Sequence, residues 1–350
     1  MTAPGGGTAR TVDLIVAGGG PVGLVTAQEA RLRGLEVAVV EPRPSPVDKA
    51  CGEGLMPTAA GRLRALGVTV QGRPFMGIRY VGLDREVAAT FRHGHGLGVR
   101  RTALHEALSA AADRAGVCRV EGRVRELVDD GSAVAAAGLR ARWLVAADGL
   151  HSAVRRQAGL DAPAEGRSPV RFGIRRHYAL RPWTDRVEVH WAAGHEAYVT
   201  PVADDLVGVA VLGPAGTGFD EALDALPTLT ARLRGASAAT ELRGAGPLRQ
   251  TASTVRKGRI LLVGDAAGYV DALTGEGLST GFTAAREAVA AIADGHPERY
   301  PRAWSRVTRR HRLLTESLLG LTSRPGPRSL LVPAAARLPR VFGAAVDLLA

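Results

Sequence analysis

The chain is short of cysteine, lysine, aromatic side chains and long apolar runs, and each shortage removes a class of function. Its only cysteines are Cys51 and Cys118. They are too few for a disulfide framework and lack metal-ligand spacing, so a reducing cytoplasm is expected. His177, His190 and His195 sit on separate runs without a carboxylate at ligand spacing, which predicts no metal site. Lys49 and Lys257 are the only lysines, and the formal net charge of +11 comes from scattered arginines rather than a basic patch. With aromatic residues at 4% there is little to stack on bases, so nucleic acid is not an expected partner. No apolar run reaches bilayer-spanning length, and the first residues lack a charged-then-apolar leader profile. A soluble protein of two or three structural units is the expectation for 350 residues.

Against these shortages stands an abundance of glycine, and the densest arrangement is Val12 to Glu41. An apolar run over 14–17 predicts a buried strand, 24–33 a helix and 36–40 a second strand, one βαβ unit. Gly18, Gly20 and Gly23 form G-x-G-x-x-G: a tight turn, a close backbone approach for a pyrophosphate, and close helix-to-strand packing. The phosphates would sit on the positive helix N-terminus. Glu41, closing the second strand, can accept both ribose hydroxyls and would repel a 2′-phosphate, which points to FAD or NAD rather than NADP.

Residues 1–10 read as an unpatterned lead-in. Prolines 42, 44 and 46 predict an extended loop before a helix from about Thr58. That loop carries Lys49, Cys51 and Gly52 beside the cofactor strand, where function concentrates. A strand pair over 74–90, a helix over 103–115 entered through Arg101, and strands over 117–128 and 133–137 follow. The strand over 142–147 ends at Asp148, with Ser152 placed as a helix N-cap and Arg155 one turn in. The middle third, 171–212, reads as short antiparallel strands whose Phe172, Trp191, Tyr198 and Pro201 could wall a substrate. A single helix is expected over 219–233. A second buried strand at 259–263 leads into Gly264 and Asp265, then Gly275, Gly277 and Leu278 at the start of a long helix, a polyol acceptor beside a second helix N-terminus. The tail over 300–350 predicts amphipathic helix with an apolar stripe of Val307, Leu314, Leu318 and Leu321. The stripe would pack onto the sheet, and peripheral membrane contact is the alternative.

Taken together, G-x-G-x-x-G with Glu41, Arg101, Asp148-Gly149-x-x-Ser152-x-x-Arg155 and Gly264-Asp265-Ala266-Ala267 resemble the glutathione-reductase-type FAD enzymes. Within them the chain is similar to the group joining aromatic flavoprotein monooxygenases to geranylgeranyl reductases. The resemblance implies an α/β fold: a Rossmann-like FAD-binding domain with a mostly parallel sheet (11–72, 98–165 and 244–298), an inserted antiparallel β-sheet substrate domain (73–97 and 166–243) and a C-terminal helical segment (299–350). It implies non-covalent FAD, with Gly18, Gly20 and Gly23 at the pyrophosphate, Glu41 at the adenosine ribose, Arg101 at the phosphates, and Gly264 and Asp265 at the ribityl end. Gly275, Gly277 and Leu278 would lie at the ring edge, and Asp148 would support FAD and, transiently, NAD(P)H as reductant.

The monooxygenases commonly follow Gly-Asp-Ala-Ala with a histidine and a proline near the flavin, where this chain has Gly268 and Ala272. Lys49 to Gly54, Leu273 to Gly277 and Tyr198 to Pro201 look more like the reductases. The first expectation is a cytoplasmic monooxygenase acting on a phenolic or polyketide-like small molecule. The alternative is a reductase or dehydrogenase of a prenyl or other apolar substrate, with Cys51 near the ring. A non-catalytic flavin electron carrier or sensor is the third.

Overall fold

A computed structural model describes residues 10–163 and 170–349. Residues 1–9 of the expected lead-in (1–10) and the expected boundary at 165/166 lie outside the described residues, and Arg10, the last residue of that lead-in, belongs to the first strand. In chain order, β1 (Arg10–Ala17), α1 (Pro21–Arg31) and β2 (Val37–Glu41) make the βαβ unit. Pro21 stands at the helix start, where its missing N–H leaves no bond unmade. Next come α2 (Pro57–Ala65), β3 (Gly77–Val81), β4 (Glu86–Thr90), α3 (Arg101–Arg114), β5 (Cys118–Glu121), β6 (Leu139–Ala146) and α4 (Ala153–Gln157). The middle third supplies β7 (Arg171–Ala179), β8 (Val187–Trp191), β9 (Glu196–Ala203), β10 (Leu206–Pro214), α5 (Phe219–Asp224) and α6 (Pro227–Leu233). The chain ends through β11 (Ile260–Leu262), α7 (Gly277–Ala293), α8 (Tyr300–Thr322), α9 (Pro325–Arg337) and α10 (Pro339–Leu349).

The first sheet is built on the run β11-β6-β1-β2-β5, whose pairs are all parallel, with short antiparallel strands added beside β11 and β6. Its strands are apolar on both faces because helices cover both, and Leu14, Ile15, Leu144, Val145, Leu261, Phe282 and Val289 form its core. Strand order reverses at β1, so the crevice between the ends of β1 and β6 is the place where such sheets take ligands.

The second sheet runs β7-β10-β9-β8-β3-β4. Each pair is antiparallel except β8 with β3, which is parallel because β3 arrives from a distant part of the chain. Its two faces divide by alternation. Ile174, Tyr178, Val199 and Val209 pack against α5 and α6. The other face carries Arg171, Arg175, His177, Tyr198 and Trp191 toward the first domain's loops and the C-terminal helices.

Three local expectations are corrected. Pro227 divides the expected helix over 219–233 into α5 and α6. The run 117–128 is two short strands, Cys118–Glu121 and Leu127–Asp129. The tail is helical, divided into α8, α9 and α10. The face of α8 that is buried carries Thr308, His311, Thr315, Leu319 and Thr322, whereas Val307, Leu314 and Leu318 are half-buried and Leu321 is exposed. The polar residues face inward because His311 and Thr315 satisfy Thr274 and Glu276 of the loop before α7.

Candidate active site

Two of the three fingerprint glycines are demanded by packing. A Cβ on Gly23 would lie 1.9 Å from the Gly18 carbonyl oxygen, and one on Gly18, held at φ +102°, would lie 2.5 Å from that of Ala147. Gly20 differs: the nearest atom to its would-be Cβ is Nη2 of Arg101 at 3.7 Å. The space beside Gly20 is open, at the start of a helix that no side chain caps.

Arg101 enters this space from the first turn of α3. Its backbone N–H donates to Glu53 Oε1 at 2.7 Å, but its Nε is buried without a hydrogen-bond partner. Burial pulls the guanidinium below its usual range, while Cys51, Asp265 and Glu53 nearby pull it back up. A half-buried guanidinium whose Nε is buried and unpaired, beside an uncapped helix N-terminus, is built for an anion.

At the far end of β2, Glu41 Oε2 accepts from the Gly19 N–H at 2.8 Å and Oε1 from Arg43 Nε at 2.7 Å. Burial pushes this carboxyl up, but the bonds from Arg43 and Gly19 outweigh it and hold it below the ordinary carboxylate range. Across the crevice, Gly264, at φ +56°, turns the chain so that Asp265 stands 3.9 Å from Lys49 Nζ. At Gly275 and Gly52 a Cβ would meet nothing within 4 Å, and α7 begins at Gly277 and Leu278 without a side-chain cap. These residues fit an FAD: Gly20, α1 and Arg101 for the phosphates, Glu41 for the ribose, Asp265 for the ribityl chain, and the α7 N-terminus for the ring edge.

Asp148 adjoins the fingerprint turn, but one oxygen accepts from the Val154 N–H at 3.2 Å, helping Ser152 cap α4, and the other is buried and unpaired. Burial pushes its carboxyl up. Arg155 is structural. Buried to 1% exposure, it holds the carbonyls of Ala266 and Leu150 and the side chains of Gln250 and Asp161, tying the Gly-Asp-Ala-Ala turn to α4.

The Lys49 to Gly52 loop is joined to the second sheet at three points. Arg175 Nη2 donates to Asp48 Oδ1 at 2.5 Å, Thr200 Oγ1 donates to the Gly52 carbonyl at 2.7 Å, and Glu53 Oε2 meets His177 Nε2 at 2.5 Å. Cys51 is half-buried, its Sγ accepting from the Glu53 N–H at 3.4 Å. Glu53, Arg175 and His177 were not among the expected site residues. The signal was there: Arg171, Arg175 and His177 share one face of a strand at even spacing, a charged face in a buried sheet.

Of the expected substrate wall, Tyr198 and Trp191 lie on the face turned to the first domain. Tyr198 donates to the Leu273 carbonyl at 2.7 Å, and Trp191 packs with Tyr80, Leu273 and Phe342. Pro201 is buried at the junction of the two sheets, its carbonyl against Gly98. Phe172 is not brought together with them. It stands on the opposite face, where it lines a cavity of about 420 Å³ with Ile174, Val211 and Gly246. Below Trp191, Glu196 is paired with Arg171 and, at 2.8 Å, with Arg328 of α9, while Arg171 reaches Asp271 at 3.4 Å. Burial pushes the Asp271 carboxyl up to about 6 against the pull of Arg171, and Glu196 adds to the rise.

His177, His190 and His195 bond to Glu53, Glu188 and the Ala222 carbonyl respectively, and among the described residues no group of three could hold a metal ion. No single helix among the described residues is long and apolar enough to cross a membrane.

The family model of the FAD binding domain matches residues 11–296. A menaquinone reductase of Mycolicibacterium smegmatis is 30% identical over 85% of this chain and 80% of its own. A digeranylgeranylglycerophospholipid reductase of Methanosphaera stadtmanae is 28% identical over 81% of this chain and 79% of its own. Among solved structures, a flavin-dependent brominase superposes with a TM-score of 0.82 over 97% of this chain and 93% of its own, at 18% identity, which is a likeness of fold.

Proposed function

The chain belongs to the FAD binding domain family and is an FAD-dependent oxidoreductase; from that premise we propose that it reduces a carbon–carbon double bond in a prenyl or similarly apolar chain, with NAD(P)H as the transient reductant. One observation carries the reading. The face of the second sheet turned to the flavin loops is backed by a track of buried, mutually packed apolar side chains, from Val270 and Leu273 through Trp191 and Ile78 to Val332, Phe342 and Val346. An apolar backing of this kind suits a long, featureless substrate, because burial of CH₂ groups is non-directional and needs no pattern of polar partners. The relatives that act on menaquinone and on digeranylgeranylglycerophospholipid support the same substrate class.

Bound FAD, once reduced, would supply the hydride. The protein's residues bind and orient. Gly20, Arg101, Glu41 and Asp265 hold the cofactor, the Lys49 to Gly52 loop and Tyr198 border the reacting face, and the apolar track excludes water. Cys51 would shape the substrate's approach to the ring. Gly268 and Ala272, where the monooxygenases have histidine and proline, weigh in the same direction.

Hydroxylation of a phenolic or polyketide-like substrate is the second reading. It is favoured by a compact nest of Leu150, Leu212 and Leu248 with Tyr198, Tyr269 and Ala272 beside Asp265, which would accept a planar ring. A carrier or sensor is disfavoured because the second sheet covers the ring's side of the crevice. Reoxidation of the reduced holoenzyme by a prenyl lipid without a quinone ring in the absence of oxygen separates these readings: reoxidation supports the reductase, and reoxidation by oxygen alone removes it.

A further inference from the structure

We propose that the corner between α9 and α10 is a docking site for an anionic lipid surface. The two helices meet at 103°. Their inner faces are fixed to the body: Val332, Phe342 and Val346 pack into the apolar cluster under the second sheet, Arg328 reaches Glu196, and Asp347 pairs with Arg92 at 2.8 Å. Their outer faces are unpartnered and apolar. Leu330 and Ala334 on α9, with Leu338 just past its end, are exposed at four-residue spacing, one stripe of a helix; on α10, Val341, Ala345 and Leu348 are exposed at four- and three-residue spacing, a second stripe. Both stripes run into the corner, where Leu338 is 57% and Val341 62% exposed. Single exposed leucines need no explanation, but two converging stripes on a rigid bend form a patch.

Charge decides the occupant. Arg337 and Arg340 flank the corner, both exposed, and neither has an acidic partner among the described residues. From residue 300 to 349 the only acidic residues are Glu316 and Asp347, and each is paired with an arginine. An apolar tip between two free guanidiniums matches the boundary of an anionic bilayer, where the alkyl groups enter and the cations stay at the headgroups. The helices are individually too short to span, so this is contact in the plane of the surface. The proposal stands on this surface alone and is independent of which reaction the crevice performs.

The test is co-sedimentation of the holoenzyme with phosphatidylcholine vesicles, with and without phosphatidylglycerol, over a series of salt concentrations. Binding is expected only with phosphatidylglycerol and should weaken as salt rises. Arg337→Gln with Arg340→Gln should weaken it roughly tenfold or more, and Leu338→Asp with Val341→Asp should abolish it, with FAD content and melting temperature unchanged in both. Equal binding to neutral vesicles, indifference to salt, or wild-type binding by both variants would each overturn the proposal. So would a dimer that the Leu338 and Val341 variant dissolves in a protein that binds no vesicles. The salt series on the unaltered protein decides the matter even if a variant fails to fold.

Discussion

Glu53 Oε2 stands 2.5 Å from His177 Nε2, both side chains almost wholly buried, and this contact joins the cofactor-side loop to the second sheet. Glu53 adopts φ +58°, a left-handed backbone that non-glycine residues rarely take. Its other oxygen accepts from the Arg101 N–H, so one carboxylate fixes the loop, the sheet and the phosphate-side helix together. His177→Ala should leave that carboxylate buried without its main partner and cost about 3 kcal/mol, read as a lower denaturant midpoint. Cys51→Ser, by contrast, should leave the midpoint near that of the wild type and change the KM for substrate. An unchanged midpoint in His177→Ala would show that the three elements are held elsewhere.

The glycines make a second prediction, because an added Cβ would clash at Gly18 and Gly23 but meets open space at Gly20. Gly23→Ala should prevent folding, since its Cβ has no space. Gly20→Val should fold, with a circular dichroism spectrum like the wild type, yet purify without yellow colour. Asp265→Ala and Arg101→Ala should also purify depleted of FAD. Full FAD occupancy in Gly20→Val would remove the pyrophosphate from this turn.

These two groups of residues differ in how far they could be read from the chain alone. Gly18, Gly20, Gly23, Glu41 and Asp265 were legible because each lies at a fixed offset from an apolar strand, and strand, turn and helix follow each other locally. Glu53 was not, since its role depends on a left-handed backbone and on a partner that comes from a different sheet. Phe172 was assigned to a wall it does not join because both faces of β7 are covered, one buried and the other largely half-buried, and alternation says which residues share a face but not which face looks at the crevice. On α8 the apolar stripe was read as the buried one; instead, the hydrogen-bonding needs of Thr274 and Glu276 turned His311 and Thr315 inward. Pro227, which splits α5 from α6, was visible all along.

Asp271 predicts a pH dependence. Its folded carboxyl is raised to about 6 from an ordinary value near 3.8, so between those values the folded protein binds more protons than the unfolded one. The stabilisation this gives is complete below about 3.8 and is lost as pH rises through about 6, an effect on the order of 3 kcal/mol before coupling to Arg171 and Glu196 is allowed for. Unfolding midpoints of the wild type and Asp271→Asn across pH 4 to 7 should converge or diverge with that sign: the wild type loses ground to the variant as pH rises. A constant difference would mean that Asp271 does not titrate in this window.

The most direct test of the central claim is the mass of the product formed by the holoenzyme from a prenyl lipid without a quinone ring under strict anaerobiosis with NAD(P)H. The account predicts a product heavier by two hydrogens, formed at the same rate with or without oxygen. A product that forms only in air and carries an oxygen atom from O₂ would contradict it and establish hydroxylation instead.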